Sequence, residues 1–513
     1  MAHITSPFPH SPLPAAARSV RWSCLLIAAA ALQLSGCGGG DSPTQGVSVP
    51  GGAASAGADD SEADLAPPAQ CATQPNDTPE QLLECMTPAG VRVHLQQLMA
   101  IAQANRGTRM AGTAGYDASI AYARKVLSEA GYRVTVQPFK FPLSRIHGSS
   151  LGESGQAGAD SIPHQVADYS GSADVTALVS RPGAAQGCSA EDFAGFPRGH
   201  IALLRRGSCG MTAKVAAALQ AGAAGVVMQS PDDGELTGSV PPSTPLDLPV
   251  VLVTHSVGEQ LVQRALTSLP LHLQTETSRS MATAYNLLAE SIGGDPNHVT
   301  MVGAHLDSVR AGAGINDNGS GTATLLETAR QMARVQPLNR LRFALWGAEE
   351  QGLLGSTHYV EQLDADQRAK IDLYLNFDMI ASPNHVFYVF GGEGAVDAPP
   401  SAGSQRSAQI VKTLEDFYAQ RQIPSKRMAS GGRSDHKPFA DIGIPYGGIF
   451  TGAEEIKSRE EARLWGGRAG VAFDPCYHRS CDKLSNIGAR ALDINADAVA
   501  HTVLFYAMRR FAG

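Results

Sequence analysis

Side chains that bind metals or transfer protons are concentrated in the second half of the chain, directly after apolar runs. They are His305, Asp307, Glu349, Glu350 and Asp378. Imidazole nitrogens and carboxylate oxygens are ligands that suit Zn²⁺. Negative charge collected in one place is costly unless a cation is bound, and two metals ~3.5–4 Å apart can share one carboxylate. The pattern therefore predicts a divalent-metal site, with zinc as the metal that suits it.

Short apolar runs alternate with helical patterns in this half of the chain, the order expected of a largely parallel sheet covered by helices. The strand candidates are 299–304, 341–346, 373–377 and 445–450. Functional groups in such sheets lie beyond the carboxyl ends of the strands, so the side chains that follow the runs should meet at one edge. A glycine-rich segment after the first run carries Asn316 and Asp317 and leads into a helix from Ala323.

The first half of the chain divides at a Gly- and Ser-rich stretch, 148–161. Before it, apolar residues at helical spacing predict helices over 78–99 and 116–130, and a strand pattern follows over 132–141. After it, short apolar runs separated by turn residues predict a small β-rich domain. Its strand candidates are 174–180, 201–205, 225–228 and 250–253.

The N-terminus is typical of an export signal. Arg18 and Arg21 precede an apolar run, 24–34, and small residues follow. The run ends in Leu-Ser-Gly-Cys37, which resembles the bacterial lipobox, where the chain is cut before a cysteine that then carries lipid. Lipidated Cys37 would attach the mature chain to the cell envelope, at the outer membrane or in the periplasm; an ordinary cleaved signal with secretion is the alternative. Residues 38–70, rich in Gly, Ser, Ala and Pro, predict a flexible linker.

Six of the eight cysteines remain after Cys24 in the signal and Cys37 are set aside. An even number in an exported protein predicts disulfides. Among the several pairings that six cysteines allow, proximity favours Cys71 with Cys85, Cys188 with Cys209, and Cys476 with Cys481. A zinc knuckle built from Cys476, His478 and Cys481 is the competing interpretation, but it needs a fourth ligand and reduced thiols.

Composition excludes several classes of function. The chain has 513 residues, with 40 Lys and Arg against 48 Asp and Glu, so the formal net charge is −8. This balance provides no basic field for phosphates and argues against nucleic acid as a partner. No apolar run reaches the roughly 18–20 residues that a membrane-spanning helix needs. A Walker-type phosphate loop is also missing from the sequence.

Five short motifs resemble the M28 family of zinc aminopeptidases. They are His305-x-Asp307, Asn316-Asp317, Glu349-Glu350, Asn376-Phe-Asp378 and Tyr477-His478. The resemblance covers roughly residues 80–145 and 280–513. It implies an α/β fold in which a mostly parallel mixed sheet is sandwiched by helices, as in zinc exopeptidases of the phosphorylase/hydrolase-like type. Residues 199–209, Lys214 and 221–227 are similar to the protease-associated (PA) domain, a small β-rich insert of peptidases.

The resemblance implies two zinc ions per chain that share Asp317. It assigns the remaining ligands as His305 and Asp378 on one metal, and Glu350 and His478 on the other. From the residues alone, His436 and His478 are both open as the last ligand. Only the Tyr477-His478 motif favours the second.

Proton-transfer and binding roles follow from the same resemblance. Glu349 would be the general base, and Tyr477 would donate a hydrogen bond to the tetrahedral oxyanion. Asp307 would accept the second N–H of His305 and fix its tautomer. Arg433 lies in a segment similar to one that lines the family's substrate pocket and could contact substrate carbonyls. A Cys476–Cys481 bridge would hold the turn that carries the Tyr-His pair.

The sequence thus predicts a zinc-dependent aminopeptidase acting on peptides with a free N-terminus. Another activity of the same family, carboxypeptidase or glutaminyl cyclase, and a non-catalytic peptide-binding receptor are the alternatives. The oligomeric state and the preferred N-terminal residue stay undetermined. The predicted organisation is a lipoprotein signal peptide over 1–36, a linker over 37–75, an N-terminal part of the peptidase domain over 76–147, a PA insertion over 148–278 and the catalytic domain over 279–513.

Overall fold

A computed structural model of the chain describes residues 68–153, 161–183, 187–207, 209–265, 270–391 and 402–510. The predicted signal peptide, the predicted lipidation site Cys37 and the linker up to residue 67 lie outside the described residues. Within the described ranges, no helix is both long enough and apolar enough to cross a membrane.

The strands form one 13-stranded mixed sheet. In chain order they are β1 (Arg133–Glu153), β2 (Gln165–Val166), β3 (Ala173–Ser180), β4 (Ile201–Arg205), β5 (Gly225–Gln229), β6 (Val250–Val253), β7 (Pro270–Glu290), β8 (Asp295–His305), β9 (Asn339–Trp346), β10 (Ile371–Phe377), β11 (Tyr388–Phe390), β12 (Lys426–Arg427) and β13 (Tyr446–Phe450). Their order across the sheet is β12-β11-β13-β10-β8-β9-β7-β3-β4-β5-β6-β2, and β1 pairs with β7.

Helices cover the sheet. They are α1 (Pro79–Cys85), α2 (Pro88–Ala104), α3 (Ala114–Glu129), α4 (Met211–Gln220), α5 (His255–Ala265), α6 (Gly319–Met332), α7 (Leu354–Glu361), α8 (Ala365–Lys370), α9 (Ala402–Gln420), α10 (His436–Asp441), α11 (Arg459–Trp465) and α12 (Ala489–Ala507). The single helix predicted over 78–99 is two helices, because Pro88 disfavours a helical residue before it and is suited to begin a new helix. Thr87 caps this second helix and accepts a hydrogen bond from the Gly90 amide at 3.1 Å.

The four apolar runs of the second half are β8, β9, β10 and β13, as predicted. β8 pairs in parallel with β9 and β10, and β10 pairs in parallel with β13. Every residue of β10 is buried, which explains why five of its seven residues are apolar. Because these strands are parallel, their carboxyl ends lie at one edge of the sheet.

Apolar side chains fill both faces of this part of the sheet. On one face the core includes residues of α2, α3, α6 and α12. On the other face, the Phe439 ring of α10 stacks on Tyr374 with ring centroids 4.0 Å apart. Trp346 packs beside them, and its indole Nε1 donates to the Tyr374 hydroxyl at 2.7 Å. Because both faces of the sheet are packed, the strands are held firmly and the side chains at their ends have fixed directions.

A long antiparallel ribbon of β1 and β7 carries the insert. Its register runs from Arg133 opposite Glu290 to Glu153 opposite Leu271. β7 pairs with β9 of the peptidase part at one end and with β3 at the other. The strand predicted over 132–141 is therefore longer than predicted. Residues 148–153, at the start of the predicted Gly- and Ser-rich boundary, pair with β7. The domain boundaries predicted after residues 147 and 278 both fall inside these strands.

Beyond the ribbon, the insert has its own small parallel sheet. β4, β5 and β6 pair in parallel, and separate apolar clusters cover the two faces of this sheet. The short strands predicted from the sequence correspond to β3, β4, β5 and β6.

Three disulfides join the cysteine pairs that sequence proximity favours. They are Cys71–Cys85, Cys188–Cys209 and Cys476–Cys481, with Cα–Cα distances of 5.4, 6.0 and 5.3 Å. The last of these pairs rules out the competing zinc knuckle, because neither of its sulfurs is a free thiolate.

Gly303→Ala should destabilise the peptidase part of the fold. Gly303 lies in β8, where an added Cβ atom would overlap the Tyr374 hydroxyl and lie 2.7 Å from Trp346 Nε1. Both rings are buried, so we expect the free energy of unfolding to fall by about 1–3 kcal/mol, measured as a lower thermal midpoint by circular dichroism. Gly152→Ala is the matched control, because the space around that position in β1 is open. Equal midpoints for the two variants would contradict the prediction.

Candidate metal centre

Three side chains meet beyond β8 and β10, two of them buried and one partly buried. His305 ends β8, and its Nε2 atom lies 3.2 Å from Asp317 Oδ1 and 3.3 Å from Asp378 Oδ1. Asp378 directly follows β10, and Asp317 lies just before α6. Two adjacent parallel strands and the loop between β8 and α6 therefore supply the first group of metal-type ligands.

Asp317 also belongs to a second group. Its other oxygen, Oδ2, lies 3.1 Å from His478 Nε2, and that nitrogen lies 3.0 Å from Glu350 Oε2. A single carboxylate thus faces two groups, each of which contains one histidine and one further carboxylate. The five predicted ligands therefore lie close together.

The spacing in both groups fits zinc. Ligand atoms at about 2.0–2.1 Å from a tetrahedral zinc ion lie about 3.3 Å from each other, and the histidine-to-carboxylate distances here are 3.0 to 3.3 Å. His305 Nε2, Asp378 Oδ1 and Glu350 Oε1 are buried and make no hydrogen bond to any described residue. Buried polar atoms without partners are costly, and a cation in each group would satisfy them.

The carboxylates of the two groups raise the pKa values of both histidines. Burial alone would lower the pKa of His305, but the charges of Asp378 and Glu349 raise it well above its ordinary value. Burial also opposes protonation of His478, yet Glu350 and Asp317 raise its pKa to about 10. Ligand imidazoles must be neutral, so metal ions displace protons from these groups when they bind.

Glu349 lies beside the first group. Its Oε2 is 4.0 Å from His305 Nε2, farther than the oxygens of Asp317 and Asp378. Burial raises the pKa of the Glu349 carboxyl well above its ordinary value, and Asp435 adds to the rise. A buried carboxylate with raised proton affinity, close to the metal ligands but set back from them, is suited to accept a proton.

Asp307 orients the Glu349–Glu350 pair. Its Oδ1 accepts the Glu349 amide at 3.2 Å, and its Oδ2 accepts the Glu350 amide at 3.4 Å. The predicted bond to His305 has a different acceptor: Nδ1 lies 3.2 Å from the main-chain oxygen of Asp307 and 3.7 Å from its carboxylate. Asp307 therefore supports the site mainly by holding the turn after β9.

A chain of hydrogen bonds leads from the sheet core to Asp378. The Tyr374 hydroxyl donates to Asn376 Oδ1 at 2.9 Å, and Asn376 Nδ2 donates to Ser434 Oγ at 2.8 Å. The Ser434 hydroxyl then donates to Asp378 Oδ2 at 2.7 Å, leaving Oδ1 for the first group. Sequence reasoning missed Ser434, although it singled out the segment that contains it.

His436 does not belong to either group. Its ring stacks against Tyr446, with centroids 5.3 Å apart, and tilts against Phe390 at 5.0 Å. Burial lowers the pKa of this imidazole to about 4. Of the two histidines open from the residues alone, His478 is the one that meets Asp317 and Glu350.

Two buried aspartates anchor the turn that carries Tyr477 and His478. Asp482 Oδ1 and Oδ2 accept the amides of Asn316 and Asp317 at 2.8 and 3.0 Å. Asp474 accepts Asn316 Nδ2 at 2.7 Å. Burial and the neighbouring Asp474 raise the pKa of Asp482 to about 8. The two aspartates lie on either side of Cys476 and Cys481 in the sequence. This position is the one sequence feature that indicates their supporting role.

Arg109 holds the loop between His305 and Asp317. Its fully buried guanidinium donates to the main-chain oxygens of Leu306, Ala313 and Gly314, at 2.9 Å for Ala313 and 2.6 Å for Gly314. Burial lowers its pKa to about 10. No local pattern indicates this role, because Arg109 lies in the turn after α2, far from the loop in the chain.

Tyr477 and Arg433 lie together at the rim of the site. The Tyr477 ring stacks on His478 with centroids 3.8 Å apart, and Arg433 Nη2 is 3.2 Å from the Tyr477 hydroxyl. Arg433 is half exposed and also pairs with Glu454 at 3.0 Å and Glu455 at 3.4 Å. The predicted substrate contact of Arg433 therefore has to compete with two glutamates.

A sheet with helices on both faces, whose parallel strand ends carry two histidine–carboxylate groups sharing one aspartate, defines a metallohydrolase of the two-zinc kind. Sequence comparison agrees. The profile of peptidase family M28 matches residues 286–503, and that of the PA domain matches residues 173–261.

Curated relatives carry the same activity in their names. An aminopeptidase of Pseudomonas aeruginosa is 41% identical over 449 residues, which cover 82% of this chain and 81% of the relative. A probable lipoprotein aminopeptidase, LpqL, of Mycobacterium tuberculosis is 40% identical over 428 residues, 81% of this chain and 84% of the relative. The chain belongs to peptidase family M28.

Solved structures give the same fold. An aminopeptidase from Aneurinibacillus sp. strain AM-1 superposes with a TM-score of 0.65 at 25% identity, covering 84% of this chain and 97% of that one. A zinc aminopeptidase from Bacillus subtilis gives a TM-score of 0.63 at 25% identity, covering 83% and 96%. The protein is a zinc-dependent metallo-aminopeptidase with an inserted PA domain.

His478→Gln should remove one of two zinc ions. His478 is the only imidazole in the second group, so we expect bound zinc to fall from about two to about one per chain, measured by elemental analysis after dialysis. His436→Phe is the matched control, because its ring environment accepts an aromatic replacement and should keep both ions. Loss of zinc in His436→Phe with full retention in His478→Gln would reverse the assignment of the last ligand.

Proposed function

We propose that this aminopeptidase releases residues one at a time from the free N-terminus of peptides, with Glu349 as its general base. The observation that carries the proposal is the position of Glu349: a buried carboxylate beside two ligand groups that share Asp317, with its Oε2 4.0 Å from His305 Nε2. The two groups together argue against a one-metal transferase of the cyclase type.

The ligands divide into a first group of His305, Asp317 and Asp378 and a second group of Asp317, Glu350 and His478. Zinc bound there supplies Lewis acidity, which polarises the scissile carbonyl and lowers the pKa of water. Asp307, Ser434 and Arg109 hold the ligand loops through the contacts described above, so the ligand geometry exists before any substrate arrives.

Glu349 moves the proton. Because burial raises the proton affinity of its carboxyl, Glu349 can take a proton from the attacking water and hold it while the tetrahedral intermediate forms. It then delivers this proton to the leaving amine, which departs as a neutral group. Adjacent Glu350 faces His478, so the two neighbouring carboxylates serve separate purposes.

Tyr477 is positioned to donate to the developing oxyanion. Burial raises the pKa of its hydroxyl well above its ordinary value, so the phenol keeps its proton at neutral pH. The stacking on His478 and the contact with Arg433 fix the direction of the ring. A hydrogen bond that forms only as charge develops accelerates the reaction rather than tightening substrate binding.

The free α-ammonium of the substrate suits the charge of this site. Asp307 and Asp435 add two buried carboxyls to the three ligand carboxylates and Glu349. A site lined with carboxylates favours a cationic N-terminus and disfavours an acylated one. This preference supports exopeptidase rather than endopeptidase action.

Export is supported by the N-terminal sequence and by the relative named as a probable lipoprotein aminopeptidase. We propose that lipid on Cys37 attaches the protein to the cell envelope. Cys37→Ser should then move the protein from the detergent phase to the aqueous phase in Triton X-114 partition of cell extracts; detergent partition of the variant would refute the anchor.

Glu349→Gln should reduce turnover about 10²–10⁴-fold, because the proton acceptor is removed while shape is kept. Zinc content should stay at about two per chain and KM should change little, since Glu349 is not among the ligands. The assay follows residues released from one peptide in free and N-acetylated forms, with and without chelator.

Sequential release from the free peptide alone, lost with chelator and restored by zinc, is the expected result for the wild-type protein. Equal cleavage of the acetylated peptide, or release from the carboxyl end, would overturn the exopeptidase assignment. Full turnover by Glu349→Gln would overturn the role of the base while leaving the substrate class intact.

A further inference from the structure

An acidic loop of the PA domain contacts the turn that carries Tyr477 and His478. The acidic loop is residues 231–235, and the ligand loop is residues 476–481, closed by the Cys476–Cys481 disulfide. Asp232 Oδ2 accepts Arg479 Nη2 at 2.8 Å. Glu235 Oε2 accepts both the amide and the hydroxyl of Ser480, at 2.8 and 2.6 Å.

The acidic loop is itself fixed to the insert. Asp232 Oδ1 accepts the amide of Gly234 at 2.9 Å, and the main-chain oxygen of Asp232 accepts the amide of His255 at 3.0 Å. Just beyond the loop, Arg206 donates to the Thr237 oxygen at 2.8 Å. The packing against the ligand loop is also close, because a Cβ atom at Gly234 would lie 2.9 Å from Arg479 Nη1. These hydrogen bonds fix the conformation of the acidic loop.

A second contact joins the insert to the loop that follows His305. Arg310 Nε lies 3.0 Å from Asp168 Oδ1, and Arg310 Nη2 donates to the Ser144 oxygen at 2.9 Å. Asp168 also contacts the chain just after the acidic loop, because its amide donates to the Gly238 oxygen at 2.9 Å. The insert thus contacts two of the loops that present metal ligands.

The ligand loop needs such support. His478 has a φ of 59°, a left-handed conformation that is unfavourable for a residue with a side chain, and it sits in a turn without helix or strand. Asp474 and Asp482 hold the stem of the turn, whereas the side chains at its tip, Arg479 and Ser480, bond to the insert.

We infer that the acidic loop of the PA domain is a positioning element of the catalytic centre, in which Asp232 and Glu235 hold the ligand loop so that His478 and Tyr477 keep their catalytic directions. The inference rests on the proposed function, because it gives His478 and Tyr477 the roles described there. It makes the insert a part of the active site and not only an attached module.

The test is the double variant Asp232→Asn/Glu235→Gln, which removes charge but keeps size at two exposed positions. We expect kcat to fall about five- to tenfold with KM within about twofold, because the contacts are exposed and salt-screened yet small displacements of catalytic groups are costly. The substrate is the aminoacyl p-nitroanilide that the wild-type protein cleaves fastest. The visible spectrum of the cobalt-substituted protein should shift, because it reports the geometry at His478.

Two further variants sharpen the comparison. Asp247→Asn removes an exposed charge from the same insert away from the ligand loop and should leave kcat and the cobalt spectrum unchanged. Arg479→Gln removes the contact with Asp232 from the other residue. Arg479→Gln and Asp232→Asn together should lower kcat no more than either substitution alone, because both remove the same interaction.

Three outcomes would overturn the inference: a kcat within twofold of wild type with an unchanged cobalt spectrum, an equal loss in Asp247→Asn, or a loss explained entirely by a smaller folded fraction in thermal unfolding. These outcomes are separate from failure of the proposed function. That failure would show as an inactive wild-type protein or as full activity in Glu349→Gln, whatever the double variant does.

Discussion

Several carboxylates share one buried edge of a sheet, and their mutual repulsion is the constraint on which the rest of the site depends. Two cations would relieve this repulsion, but only if other contacts keep the ligand loops close together. The chain does this with neutral and cationic donors: the Asp307 carboxylate takes two amides, Ser434 takes one oxygen of Asp378, and Arg109 binds three carbonyls. These hydrogen bonds hold the ligand loops against the mutual repulsion of the carboxylates.

Sequence reasoning reached the strands and the ligands more readily than the supporting contacts. β10 and the second half of β8 are buried on both faces and are therefore mostly apolar, and the ligands follow their ends in short recognisable motifs. Arg109, by contrast, lies 197 residues from Leu306 and Ser434 lies 56 residues from Asp378, so no local spacing reveals either partnership. The length of β1 was missed for a similar reason, because its Ser- and Gly-rich end is a strand only through pairing with β7.

Three of the seven non-glycine residues with positive φ in the described ranges lie at the site. Ala348, Met379 and His478 all have positive φ, at 55°, 50° and 59°, and each is either a site residue or the immediate neighbour of one. Such conformations cost of order 1–3 kcal/mol and persist only where the surroundings fix them. Here they turn the chain sharply beyond the strand ends, so that Glu349 and Glu350 face different partners. Stability is given up at the points where side-chain direction matters most.

The ribbon of β1 and β7 determines where the insert joins the peptidase part of the chain. At the pair formed by Ser144 and Arg279, the two strands are already side by side, so a tight turn could close them into an ordinary hairpin. The whole insert therefore occupies the place of a hairpin turn, the kind of site at which chains tolerate new sequence best. The pairing of β7 with β9 lies on the peptidase side of this pair, so a change in the insert does not have to alter the register of the peptidase sheet.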